Sequence, residues 1–229
     1  MKFSQIIFGA LLTLLVYSCI GDDIIFDTVA ENVRITSRVD SLAVGDDFQF
    51  EAIFVNNIGI EEPMTIAWSS SDEAILAIDQ NGLASGISKG DVMVTATVDL
   101  ATKTITDTWP LAVADNTVIS DPESRTGQLR TTSSYLLEGD FELKPDGNNL
   151  TLVLSDDYRA SSNLPGLYVY LTNNPNSVNG AYEIGMVTEF SGTHSYTIPG
   201  DEVGLNQYSH LLYFCKPFGV KVGDGEFDN

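Results

Sequence analysis

Two cysteines carry the most distinctive chemistry in this chain. Cys19 follows an apolar run at residues 6–16 (IIFGALLTLLV), and Cys215 ends a second run at residues 209–215 (SHLLYFC). A thiol is a site of acylation, nucleophilic attack, redox exchange or metal binding where it is exposed and activated, and elsewhere it packs as a small apolar side chain. The two thiols therefore need separate interpretations, which depend on the segments around them.

Few other residues suit catalysis. The histidines are His194 and His210, too few with the cysteines for a structural zinc site, and the sequence has no Cys-x-x-Cys-His haem attachment motif. It also has no glycine-rich loop of the nucleotide-binding types, and we predict no nucleophile elbow of a serine hydrolase. We therefore predict no catalytic residues and no metal site, and an enzyme is the less favoured interpretation.

The charge of the chain restricts its partners. Its 229 residues include 32 Asp and Glu against 11 Lys and Arg, a formal net charge of -21. Because phosphate-binding surfaces need clustered Lys and Arg, we predict no nucleic-acid partner. Hydrophobic residues make up 43% of the chain, which is enough apolar material for folded cores and excludes a disordered chain.

The first 18 residues have the pattern of a secretory signal peptide. Lys2 precedes the apolar run at residues 6–16. Eleven residues in a helix span about 16 Å at 1.5 Å per residue, about half of a bilayer core. The run is therefore too short to cross the membrane, and we interpret residues 1–18 as an export signal.

The residues after this run resemble a lipoprotein signal. Residues 16–19 (VYSC) resemble the lipobox of bacterial lipoproteins, which implies that Cys19 becomes the first mature residue and carries the lipid. Residues 20–23 (IGDD) resemble the surface-export signal of Bacteroidetes lipoproteins, and a solvated acidic leader is the alternative. We expect an acidic tether at residues 19–31 and a protein that is lipid-anchored in the outer membrane and exposed at the cell surface.

The elements that follow have the period of β-strands. Apolar residues alternate with polar ones along residues 48–54 and 92–98, and Gly- or Asn-containing turns separate such runs. We predict half-buried antiparallel strands in a β-sandwich, with Trp68 as the large side chain at its centre. The Asp79 and Asn81 side chains lack the further carboxylates of a calcium loop and are interpreted as a tight turn.

Four motifs in this half resemble one family. They are residues 41–46 (SLAVGD), 67–72 (AWSSSD), 78–84 (IDQNGLA) and 90–96 (GDVMVTA), and they resemble the group-two bacterial immunoglobulin-like (Ig-like) domain. The resemblance implies an Ig-like β-sandwich over residues 32–114 that acts as a spacer or adhesion module without catalysis.

A second β domain is predicted beyond a short linker. Residues 115–121 are mostly polar and border a proline, which is typical of a boundary between domains, and their small number predicts a bent or semi-rigid joint. Alternating strands resume after them, without a convincing helical period. We predict that residues 122–229 form a β-sandwich or a flattened β-barrel, so that the whole mature chain is all-β.

The second half also resembles a known family. Residues 135–139 (YLLEG), 164–171 (LPGLYVYL), 192–199 (GTHSYTIP) and 212–220 (LYFCKPFGV) resemble the DM-thirteen domain, an electron-transfer module of Skeletor-type proteins. The resemblance implies that Cys215 acts in redox chemistry, as a bare thiol or as a ligand of a prosthetic group.

Haem is the prosthetic group to test, and three nearby residues are candidate axial ligands: His194, His210 and Met186. Strand alternation places Cys215 on the same face as Leu211 and Tyr213, with Lys216 turned away. From the residues themselves we therefore predict a buried and poorly reactive thiol.

Three functions remain open at this point. The first is a surface lipoprotein in which the Ig-like domain is a stalk and the second domain binds a protein or another ligand through its loops. The second is an extracytoplasmic electron-transfer module that uses Cys215. The third is glycan binding through tyrosines such as Tyr158, Tyr168 and Tyr182, although we favour a position in the core for these side chains.

Overall fold

The computed structural model of this chain describes residues 28–119 and 124–228. The predicted signal peptide, Cys19 and residues 20–27 of the predicted acidic tether lie outside the described residues, so the interpretations made for them stay predictions. The described residues form β-strands and one short 3-10 helix at Lys216–Phe218, without an α-helix. The predicted all-β fold is therefore confirmed. No described helix is long and apolar enough to cross a membrane.

The first domain is a two-layer arrangement of short strands. Its strands are β1 (Asn32–Ile35), β2 (Ser41–Ala43), β3 (Asp47–Gln49), β4 (Ala52–Val55), β5 (Ala67–Ser70), β6 (Leu76–Ile78), β7 (Leu83–Gly86), β8 (Gly90–Asp99) and β9 (Thr104–Ala114). One layer contains the four-stranded sheet β2-β9-β8-β5, and the other contains β1-β4 and β3-β7-β6.

Alternation along β8 builds much of the core of this domain. Val92, Val94, Ala96 and Val98 are buried, and the residues between them are exposed or half-buried, as the period of two predicts. The strands at residues 48–54 and 92–98 pair antiparallel with their neighbours, as predicted, whereas β2 runs parallel to β9. After β1 the chain crosses to the opposite sheet, where β2 is an edge strand beside β9. No hairpin connects β2 to β9, so the two strands need not be antiparallel.

Trp68 is not at the centre of the sandwich. It lies on β5, an edge strand, and is half-buried, with its ring 5.9 Å from that of Phe50. Phe50, which lies between β3 and β4, is fully buried instead. The edge position of β5 leaves one side of the Trp68 indole without a neighbouring strand.

The second domain has a core of its own, formed by residues of β10–β18 and their loops. Its strands are β10 (Arg125–Thr131), β11 (Leu137–Asp146), β12 (Asn149–Leu154), β13 (Arg159–Ala160), β14 (Leu167–Thr172), β15 (Tyr182–Met186), β16 (His194–Pro199), β17 (His210–Cys215) and β18 (Val220–Glu226). The strand order is β15-β14-β17-β18-β10-β11-β12-β16, with β13 beside β11. Since β15 and β16 approach each other, this sheet is a nearly closed barrel.

Candidate binding cleft between the domains

The two domains meet in a hydrogen-bonded joint centred on Arg34. This residue is on β1, and its guanidinium donates to Asn173 Oδ1 at 3.2 Å and to the carbonyls of Asn206 and Gln207 at 3.3 and 3.0 Å. In return, Asn206 Nδ2 donates to Thr36 O at 3.0 Å. One first-domain side chain is thus held by three acceptors of the second domain.

A second contact lies beside the first. Asn174 is fully buried and donates from Nδ2 to the carbonyl of Ile58 at 3.1 Å. Gly59 has a φ of 82° and packs so closely on Asn174 that a Cβ at this position would overlap it. The glycine therefore permits both the turn and the close approach of the domains.

The linker is attached to the first domain. Ser41 Oγ donates to Asn116 O at 2.8 Å, and Val118 N donates to Ser41 O at 2.9 Å. Thr117 Oγ1 accepts from Ala43 N at 2.9 Å. Because these bonds hold residues 116–118 against β2, the described part of the linker continues the first domain.

The loop at residues 204–208, before β17, is held by arginines from two sides. Arg125 Nη1 donates to Tyr208 O at 2.7 Å and to Leu205 O at 3.4 Å, while Arg34 binds the carbonyls between them. Arg125 also lies over the ring of Phe227, 4.5 Å from its centroid. Four successive carbonyls therefore face two guanidinium groups.

The charges of these arginines act on one another. Burial lowers the pKa of Arg34, although the nearby carboxylate of Asp107 raises it and Arg38 lowers it further. Burial also lowers the pKa of Arg125 to about 10, and the charges of Arg34 and Arg38 act in the same direction. Three guanidinium groups thus lie close enough to repel one another at this joint.

A cleft of about 640 Å³ opens beside the 204–208 loop. We call it the interdomain cleft, because both domains form its walls. Its first-domain wall includes Arg38, Trp109, Phe48 and Glu51. This size lies in the range of small-molecule sites, which are often found between domains.

Arg38 lies over the indole of Trp109 in this wall, with its guanidinium carbon 5.0 Å from the ring centroid. Trp109 is fixed by its own Nε1–H, which donates to Val39 O at 2.8 Å. The Nε of Arg38 is buried without a hydrogen-bond partner among the described residues, and the same holds for Oδ1 of Asn206 on the opposite wall. Both residues line the cleft, but neither of these two atoms is exposed on its surface.

Cys215 lies at the end of β17 with no exposed surface, as predicted. Leu211 and Tyr213, on the same strand face, are also fully buried. Lys216 is exposed and lies over the ring of Tyr168, with Nζ 4.4 Å from its centroid. The sulfur thus faces the barrel core, and the adjacent cation does not.

The candidate haem ligands do not converge on Cys215. His210 begins the strand that Cys215 ends, a separation of about 16 Å at 3.3 Å per residue. His194 is on β16, which pairs with β12, and Met186 is half exposed on β15. Among the described residues, the surroundings of Cys215 therefore do not fit a haem.

The tyrosines considered for glycan binding differ in burial. Tyr158 is fully buried in the barrel core, as favoured from the sequence. Tyr168 and Tyr182 are half-buried, and Tyr182 donates its hydroxyl to Glu202 Oε2 at 2.7 Å, a bond that raises its pKa to about 12. These three side chains do not form a common exposed platform.

Two first-domain turns are structural. Asp79 accepts hydrogen bonds from the backbone of Asn81 at 2.8 Å and Leu83 at 2.9 Å, and these bonds lower its pKa. No metal-binding cluster occurs within residues 28–119 and 124–228.

Residues 86–90 (GISKG) have the spacing of a nucleophile elbow, yet Ser88 lies between two strands and donates to Ala74 O at 2.8 Å. A hydrolase elbow connects a strand to a helix, so this turn is not one.

Sequence reasoning missed the residues of the cleft. Arg34 and Arg38 are two of only eleven Lys and Arg residues in an acidic chain and lie four positions apart. The closeness of these two arginines in the sequence was the signal that could have pointed to a binding site. Their neighbours Arg125 and the 204–208 loop are distant in sequence, and no local period connects them.

The comparisons with known proteins agree with the fold of the first domain. The family model of the bacterial Ig-like domain (group 2) matches residues 29–108, which confirms the resemblance carried by the four motifs in that range. Over 100 residues, the chain is 27% identical to an uncharacterized protein of Clostridium acetobutylicum. This stretch is 43% of the present chain and 24% of that relative, so the chain spans only a small part of the relative's length.

Proposed function

We propose that this chain is a lipid-anchored binding protein of the cell surface. Cys19 holds the lipid, the Ig-like domain is the stalk, and the second domain is a DM-thirteen-like module. A ligand binds in the interdomain cleft. The observation that carries the proposal is the cleft itself, which both domains line and in which Arg38 lies over Trp109 without an ion pair among the described residues.

The joint supports this role because it keeps the cleft in one shape. Arg34 is bound by three acceptors of the second domain, and residues 116–118 are bonded to β2. A site between two domains that move freely loses affinity, since binding must then order them. The cleft walls are instead held in place before a ligand arrives.

The anchor is tested with a Cys19→Ala variant in a host that processes lipoproteins. We expect the wild-type chain to incorporate labelled fatty acid and to fractionate with membranes, and the variant to lose both properties. Protease treatment of intact cells then tests the orientation. Membrane association that survives in the variant contradicts the anchor, and a chain that stays uncut on intact cells contradicts surface exposure.

The cleft is tested by filling it. Gly204 lines the cleft, and a Cβ there would have its nearest contact at 3.9 Å, so a Gly204→Phe variant adds a ring without disturbing the core. We expect a small molecule from a panel of saccharides, amino acids and organic acids to raise the melting temperature of the wild type and not of this variant. The control is Leu136→Phe, which adds a ring at an exposed position outside the cleft. Ligands that stabilise both variants equally contradict the proposed site.

Electron transfer through Cys215 is the second candidate. The resemblance of residues 212–220 to the DM-thirteen domain supports it, and the complete burial of the thiol weighs against it. Thiol exchange would require the barrel to open at the end of β17. We therefore rank this function below ligand binding.

A further inference from the structure

Arg38 is a cation without a counter-ion among the described residues. The other cations at the joint, Arg34 and Arg125, are bonded to neutral oxygens, namely backbone carbonyls and the Asn173 amide. No described carboxylate lies within ion-pair distance of Arg38, and its Nε–H has no acceptor. A buried N–H without a partner is rare, and a bound acceptor can satisfy this one only if the Arg38 side chain moves.

The neighbouring charges make this position favourable for an anion. Three of the eleven Lys and Arg residues of a chain with net charge -21 lie here together. Asp107 acts on Arg34, but no described carboxylate is paired with Arg38 or Arg125. An anion in the cleft would reduce the repulsion among the three guanidinium groups. The planar fork of arginine suits a carboxylate, which it binds through two parallel hydrogen bonds.

The other residues of the cleft wall restrict which kind of anion can bind. Asp40, Glu51 and Glu61 are exposed acids of the cleft, and Asn206 Oδ1 is a buried acceptor without a partner among the described residues. These oxygens disfavour a doubly charged phosphate and require hydrogen-bond donors from a ligand. Phe48 and Leu205 add half-buried apolar surface. The ligand that matches all three properties has one carboxylate, several hydroxyls and a C–H face.

We infer that the interdomain cleft binds a sugar acid, with the carboxylate at Arg38 and hydroxyls donating to Glu51 and Glu61. This inference rests on the proposed binding function and assigns its ligand class. Arg38 would act as the residue that selects acidic over neutral sugars.

Trp109 provides a reporter for this inference. The chain has two tryptophans, so a Trp68→Phe variant leaves Trp109, which lies against Arg38, as the single indole. We expect D-glucuronate to change its fluorescence in a saturable manner, because a bound carboxylate draws the guanidinium away from the ring. D-Glucose should bind at least about tenfold more weakly, since it lacks the charge-assisted bonds. Calorimetric titration of the chain with both tryptophans repeats the comparison if the Trp68→Phe variant folds poorly.

Substitution of Arg38 is the decisive test of this inference. In Arg38→Gln we expect the affinity for D-glucuronate to fall at least about tenfold, to the level of D-glucose, because the charge is gone. The control Arg159→Gln should bind as the wild type, since Arg159 donates to the carbonyls of its own neighbours Asp156 and Tyr158.

Three results would overturn the inference. They are equal affinities for D-glucuronate and D-glucose, unchanged D-glucuronate affinity in Arg38→Gln, and a response to L-alanine but not to D-glucuronate. None of these by itself rejects the binding function. That function fails separately, if no ligand of the wider panel is blocked by Gly204→Phe.

Discussion

At the scale of single residues, we expect His210 to make the stability of the protein depend on pH. Burial lowers the pKa of this half-buried imidazole. The carboxylates of Glu226 and Asp224 oppose this shift, and the cations Arg130 and Lys221 act with it. The folded chain therefore takes up this proton at a lower pH than the unfolded chain does.

The sign of the effect follows from proton binding. As the pH falls through the ordinary histidine pKa of about 6.5, the unfolded state binds the proton first, so the free energy of unfolding decreases. We expect His210→Gln to remove this contribution and to flatten the change in stability between about pH 7.5 and about pH 5.5. Urea unfolding at both pH values measures it. Equal slopes for the wild type and the variant would contradict the assignment to His210.

Cys215 is the residue whose environment most limits its chemistry. Because the thiol has no exposed surface, a labelling reagent reaches it only when the barrel opens. We expect labelling in the native state to be at least about a thousand-fold slower than in denaturant, in line with the small open fraction of a stable domain. A Cys19→Ala background leaves Cys215 as the single thiol for this assay. Rapid native labelling would favour the electron-transfer function instead.

At the scale of elements, the barrel is closely packed where β10, β11 and β18 meet. Phe141 of β11 lies against Gly127 of β10 and Gly225 of β18. A Cβ on Gly225 would lie 2.5 Å from Phe141 Cε1 and 2.7 Å from Gln128 O. The glycines let the aromatic ring cover the strands, and any side chain there would overfill the core.

We therefore expect Gly225→Ala to lower the free energy of unfolding by about 1–3 kcal/mol, the usual cost of overpacking. Denaturant unfolding measures the change. Gly204→Ala is the matched control, since its Cβ has free space, and its effect should stay within about 0.5 kcal/mol. A Gly225→Ala variant as stable as this control would show that the strands shift without cost.

At the scale of the whole molecule, Arg34 couples two domains that have separate cores. Substitution by Gln removes the charge and most of the bonds to Asn173, Asn206 and Gln207 but leaves both cores unchanged. We expect this variant to weaken the coupling by about 1.5–3 kcal/mol, the value of hydrogen bonds to a charged group.

Calorimetry and limited proteolysis measure the coupling. We expect the unfolding transitions of the two domains to separate in Arg34→Gln, with faster cleavage in the linker at residues 115–121. Arg159→Gln removes an arginine that bonds within its own domain and should leave both readings unchanged. A single unaltered transition in Arg34→Gln would mean that other contacts, such as that of Asn174 with Ile58, hold the joint.

The sequence by itself determined the features that local periodicity encodes. Alternation along residues 92–98 placed four side chains in the core of the first domain, and the four motifs predicted its family. Alternation before Cys215 predicted that the thiol would be buried. These inferences hold because a strand turns successive side chains to opposite faces, whatever the rest of the chain does.

Only the tertiary structure decided which residues share a site. Arg34 and Gln207 are 173 positions apart, and the cleft joins the segment after β1, strand β9 and a loop of the second domain. Trp68 and Trp109 look equally suited to a core, yet β5 is an edge strand, and the wall of the cleft holds Trp109. Such contacts depend on how two sheets and two domains pack, and a period of two contains no information about that packing.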